Sequence, residues 1–177
     1  MAHITLPEFG DMTPKIQKLV KPMLNKNGRL SETTRLLALR EDIFFSTNKM
    51  VKSYLFTKTE LPFSTKERIA ILVSMENSCK VCVDIHKSLS KRLGMSEEQI
   101  KQVLRGINEI ECEEEEKLLL KFCLRASQKD CYKILPSDID MVKNAGYSVT
   151  QILEAVAITG YFNYINTLTN VFGLEDE

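Results

Sequence analysis

Residues 64–94 read STKERIAILVSMENSCKVCVDIHKSLSKRLG, from Ser64 to Gly94, and they decide the fold class. Ser64 and Glu67, three apart, have the spacing of a capping box opening the apolar run Ile69, Ala70, Ile71, Leu72 and Val73. Glu76, Asn77 and Ser78 make a polar joint, where Asn77 or Ser78 is placed to cap a second helix carrying Cys79, Cys82 and His86. That helix is expected to stop at Gly94, because glycine readily takes the left-handed backbone that follows a last turn. The stretch therefore reads as a tight helical hairpin.

The helical period continues on both sides. Ile16, Leu19, Val20, Met23 and Leu24 follow the spacing of an amphipathic helix. Leu36, Leu37, Leu39, Ile43 and Phe44, then Met50, Val51, Tyr54 and Leu55, predict one long helix or two, ending near Pro62. Beyond Gly94, Ser96 and Gln99 open another. Glu113 to Glu116 precede Leu118, Leu119, Leu120, Phe122 and Leu124, and acidic residues suit a helix N-terminus; the run reads as a solvated first turn. Pro136 begins a further helix, and Ser148 with Gln151 opens a last pair. No stretch argues convincingly for a strand, so the expected class is all-α, with residues 1–60 an N-terminal helical segment and 61–177 the main domain. Residues 1–60 read as generic helices with two alternative roles, covering the thiols or building a subunit interface. The motif Gly94-x-Ser96-x-x-Gln99-Ile100 recurs as Gly146-x-Ser148-x-x-Gln151-Ile152. Both a duplicated two-helix unit and capping chemistry alone account for it.

Composition narrows the function. Lys plus Arg and Asp plus Glu number 24 each, so no basic field exists to hold nucleic acid. The first residues lack a signal peptide's charged and apolar regions, and no apolar run reaches the roughly 18 residues of a membrane span. An odd count of five cysteines in a chain read as unexported favours a reducing compartment, and a cytoplasmic location is expected.

Cys79 and Cys82 form a C-x-x-C pair, with His86 four residues on, all along one helix face. Such a pair can close a disulfide beside a base, which equips it for redox chemistry. Cys79 in a first turn has its thiolate favoured by free N–H groups and the helix dipole, while His86 is placed to take or relay the Cys82 proton. Competing readings are buried apolar cysteines and a zinc site, though one helix offers only three ligands where tetrahedral zinc takes four. Of the two histidines, His3 lies in a terminus read as loose. For Glu67, spacing favours a cap over a carboxylate aimed at the thiols. Cys123 reads as core, and Cys112 and Cys131 as flanking residues without a histidine neighbour. Tyr161, Phe162, Tyr164, Ile165 and Phe172 stand at helical spacing, the commoner meaning of which is core rather than an oligomer face.

The arrangement E-x11-C-x-x-C-x-x-x-H, Glu67 to His86, strongly resembles AhpD-like members of the carboxymuconolactone decarboxylase family, over about residues 60–173. The resemblance implies an all-helical bundle in a symmetric homo-oligomer, trimer or hexamer, and a cysteine-based peroxidase that needs no cofactor or metal. On that model Cys82 is oxidised by a hydroperoxide to a sulfenic acid, Cys79 resolves it to a Cys79–Cys82 disulfide, and Glu67 and His86 relay protons. The implied partners are a hydroperoxide and a dithiol reductant, thioredoxin-like or lipoyl-bearing, with neither nucleic acid nor membrane. One departure stands out: the best-studied form of the motif has a second histidine between the cysteines, where this chain has Val81. Losing that relay member lowers the expected peroxidase efficiency. Alternative readings are a non-enzymatic oligomeric redox sensor and a decarboxylase-type lactone enzyme, the latter giving the thiol pair no role.

Overall fold

Helix α4 (Phe63–Glu76) is buried at every residue from Thr65 to Ser74, so it forms the axis of the molecule rather than one wall. The computed structural model describes residues 2–175, and every regular element among them is helical. In chain order the α-helices are α1 (Pro14–Val20), α2 (Glu32–Ala38), α3 (Glu41–Val51), α4, α5 (Lys80–Arg92), α6 (Glu97–Arg105), α7 (Glu114–Ser127), α8 (Pro136–Asn144) and α9 (Val149–Val171). Helices α5, α7 and α9 pack around α4, and α6 closes one end. A single hydrophobic core joins Ile16, Leu37, Phe44 and Leu55 of the first 60 residues to Ile69, Ile71, Leu119 and Phe162.

Three successive charged residues fasten the axis. Helical residues are about 100° apart, so Lys66, Glu67 and Arg68 point toward different neighbours. Lys66 Nζ pairs with Glu154 of α9 at 2.6 Å, Glu67 with His86 of α5 at 2.9 Å, and Arg68 with Glu116 of α7 at 2.7 Å. Each pairing satisfies a group that would be costly to bury alone. The Glu113–Glu116 run is therefore only partly a solvated turn: Glu114 and Glu115 are exposed, while Glu116 accepts from both Thr65 and Arg68.

Local rules account for most ends. The Ser96/Gln99 and Ser148/Gln151 boxes both form, Pro136 is the first residue of α8, and Gly94 and Gly146 have φ near 100°. Three expectations change. Ser64 does not cap α4, which begins two residues earlier with Pro62 at the N-cap. Residues from Ser148 onward form one 23-residue helix rather than a pair, passing through Gly160 unbroken because burial of Ile158, Phe162 and Ile165 outweighs about 1 kcal/mol of glycine propensity. His3 is tied down: its N–H donates to the Phe172 carbonyl at 2.8 Å, and its Nδ1 lies 3.1 Å from the Val171 carbonyl. Of the aromatic stretch on α9, Tyr161, Phe162 and Ile165 are core.

Candidate active site

The joint between α4 and α5 places the first cysteine. Ser78 N–H donates to the Met75 carbonyl and Cys79 N–H to the Ser74 carbonyl, a Schellman closure. The left-handed position in that closure falls to Ser78, at φ 54°, where glycine is the usual occupant. Four asparagines hold it against α9. Asn77 Nδ2 donates to Asn163 and Asn166, Asn166 donates to Ser74, and Asn170 donates to the Asn77 carbonyl at 2.8 Å. Neither Asn77 nor Ser78 caps α5. Cys79 itself is the N-cap, its sulfur accepting the Cys82 N–H at 3.4 Å. A thiolate there would face free helix N–H groups, which favour an anion.

Cys79 and Cys82 are joined as a disulfide, their Cα atoms 5.4 Å apart. The two sulfurs border different spaces. Cys82 lines a cavity of ≈ 190 Å³ whose other walls include His86 and Phe162, and whose roof is Leu37, Phe44, Thr47 and Val51 of α2 and α3. Cys79 lies at the floor of a separate surface cleft with Ser78, Lys80 and Asp84. The first 60 residues therefore cover Cys82, a role their own pattern did not reveal.

Behind the cavity, Glu67 is 0% exposed, which removes it from any capping role. Its Oε2 lies 2.9 Å from His86 Nδ1 and also accepts from Ser90. A carboxylate facing Nδ1 orients the ring with its proton on that nitrogen, leaving Nε2 for the cavity. The ring meets Phe162 edge to face, with centroids 4.8 Å apart. Glu67 Oε1 is buried with no hydrogen-bond partner among the described residues, an arrangement that folding alone disfavours. The structure thus brings Glu67, Cys79, Cys82 and His86 together.

Val81 is half-buried and contributes to neither space. Cys112, Cys123 and Cys131 are free thiols. Burial pushes the Cys123 thiol up to about 12, so it stays protonated and inert. Among the described residues no cluster of His, Cys, Asp and Glu is placed to hold a metal, and no helix is long and apolar enough to cross a membrane. Sequence reading missed Ser90, which donates to Glu67, and Thr169 and the cavity roof, which lie beside Cys82; none carries a motif, and all reach the site only through packing.

The molecule is thus an all-helical bundle with a cysteine pair at a helix start and a buried glutamate–histidine pair behind it. Residues 44–122 match the model of the Carboxymuconolactone decarboxylase family. The match reaches back into α3 and stops within α7, whereas the sequence resemblance was read over about 60–173. The fold is AhpD-like along the whole chain. It is similar to a peroxidase-related protein with an alkylhydroperoxidase AhpD core from Ralstonia eutropha JMP134, at 19% identity and TM-score 0.89, covering 99% of this chain and 92% of that one. A peroxidase-related protein from Silicibacter sp. TM1040 has 18% identity, TM-score 0.88 and the same coverage. The debrominase Bmp8 has 17% identity and TM-score 0.80, covering 99% and 92%. No curated protein matches the sequence.

Proposed function

We propose that this protein is a thiol-dependent peroxidase acting through Cys82 and Cys79. The observation that carries the reading is that Cys82, bonded to Cys79, lines the same cavity as a histidine backed by a buried carboxylate. In the reduced protein His86 takes the Cys82 proton, and the thiolate attacks the terminal oxygen of a hydroperoxide. The S–O bond forms as the O–O bond breaks, and the departing alkoxide takes the proton from His86. Cys79 then attacks the sulfenic sulfur, forming the disulfide and releasing water. A dithiol reductant, thioredoxin-like or lipoyl-bearing, reopens it by attack on Cys79, becoming a disulfide itself. Cys79 is 0% exposed, so this step requires the Ser78 joint to yield. We place the protein in the cytoplasm, as a homo-oligomer of three or six copies.

Stopped-flow reduction of hydrogen peroxide and cumene hydroperoxide by the prereduced protein tests the reading. One equivalent of peroxide is expected to remove about two daltons, confined to the Cys79–Cys82 peptide. Cys82→Ser consuming peroxide as fast as the wild type would sink it.

The aromatic walls Phe44, Tyr161 and Phe162 favour a second reading, given the likeness to a debrominase. Cys82 thiolate would take a halogen from a small haloaromatic ring as the ring carbon takes a proton, and Cys79 would then displace halide to give the same disulfide. Halide release from 2,3,4-tribromopyrrole, the ligand of a Bmp8 complex, without peroxide turnover would select it.

A further inference from the structure

Thr169 on α9 is 2% exposed, and its Oγ1 lies 3.7 Å from Cys82 Sγ. The same hydroxyl donates to the Ile165 carbonyl at 2.9 Å. A threonine hydroxyl has one proton, and a disulfide sulfur is a weak acceptor, so in the oxidised protein the proton belongs to the carbonyl. That carbonyl lies inside α9 and keeps the helix's own N–H from Thr169 if the hydroxyl turns away. Opening the disulfide changes the balance, because Cys82 as a thiolate is an anion among Leu37, Phe44, Val51 and Ile165. A hydrogen bond to an ionised acceptor is roughly twice as strong as one to a neutral group.

Resting on the reading of Cys82 as the reacting sulfur, we propose that Thr169 is a further catalytic residue. Its hydroxyl serves the Ile165 carbonyl in the disulfide state and rotates to donate to the Cys82 thiolate in the reduced state. The hydroxyl thus holds the nucleophile as the anion and aims it into the cavity. The Cys82 N–H is directed at Cys79 sulfur and His86 serves as the proton acceptor, and among the described residues the side-chain hydroxyl within reach of the Cys82 sulfur is that of Thr169. The titratable groups facing Cys82 are His86, with Glu67 behind it from α4, and Tyr161 of α9, whose hydroxyl burial keeps protonated. The cavity residues from α2 and α3 are all uncharged.

The test uses Thr169→Val, which keeps the shape, and Thr169→Ser, which keeps the hydroxyl, each with Cys79→Ser so that Cys82 stays reduced. Site-resolved alkylation of Cys82 by iodoacetamide against pH, read by mass spectrometry, needs no peroxide. Thr169→Val is expected to raise the midpoint of Cys82 by about one pH unit and slow alkylation near neutrality about tenfold. Thr169→Ser should stay at the parent midpoint, and Thr169→Ala supplies the hydroxyl-free case if valine disturbs packing. An unmoved midpoint in both hydroxyl-free variants, or one displaced as far by serine as by valine, overturns the proposal. A midpoint that moves while the wild type reduces no peroxide leaves the thiolate donor standing and removes the peroxidase reading.

Discussion

Glu67 shows how far a single residue can be read from its neighbours in the chain. Its spacing from Ser64 is that of a cap, yet the carboxylate is buried against His86 and Ser90. Both roles use the same residue type near a helix start, and they differ only in what packs against that side of α4. The relay geometry gives a prediction. Glu67→Gln keeps the shape but removes the carboxylate that faces His86 Nδ1, so sulfenic acid formation at Cys82 should slow by roughly 10²-fold, the lower range for acid–base assistance. Stopped-flow kinetics with a sulfenic-acid trap reads this, and an unchanged rate would return Glu67 to a structural role. The cysteines were more legible, because C-x-x-C on a helix brings the sulfurs within reach by local geometry alone.

At the scale of elements, the joint between α4 and α5 carries the site and is itself under strain. Ser78 occupies a left-handed conformation that costs a non-glycine residue about 1–2 kcal/mol, and the asparagines of α9 hold it there. Asn77→Ala leaves Asn163 and Asn166 acceptors unpaired and should lower the unfolding free energy by about 1–3 kcal/mol in urea titrations. A change within a few tenths would show the clamp to be incidental. The joint was recognisable as a break from Glu76-Asn77-Ser78, but its caps were not. Asparagine and serine are the usual caps of an exposed helix start, whereas here the amide faces α9 and the N-cap falls to a buried cysteine. Gly94, Ser96, Pro136 and Ser148 behaved as written because their partners lie within a turn or two along the chain.

Across the whole molecule, the first 60 residues matter for what they enclose. Phe44 is 1% exposed and belongs both to the core and to the cavity roof. Phe44→Ala should cost about 3–5 kcal/mol and enlarge the space beside Cys82. The peroxide rate ratio, cumene hydroperoxide over hydrogen peroxide, should then rise; a ratio unmoved by the truncation would mean that α3 does not shape access. Helical class, most helix ends and the dithiol with its histidine were set by short-range rules: the 3.6-residue period, capping chemistry and the i, i+3, i+4 spacing. The partner of Glu67, the fate of Glu116, the hydroxyl of Thr169 beside Cys82 and the roof over it came only from packing. Each joins residues tens of positions apart, whose meeting depends on which faces of α4, α5 and α9 are buried together, and no local pattern encodes that choice.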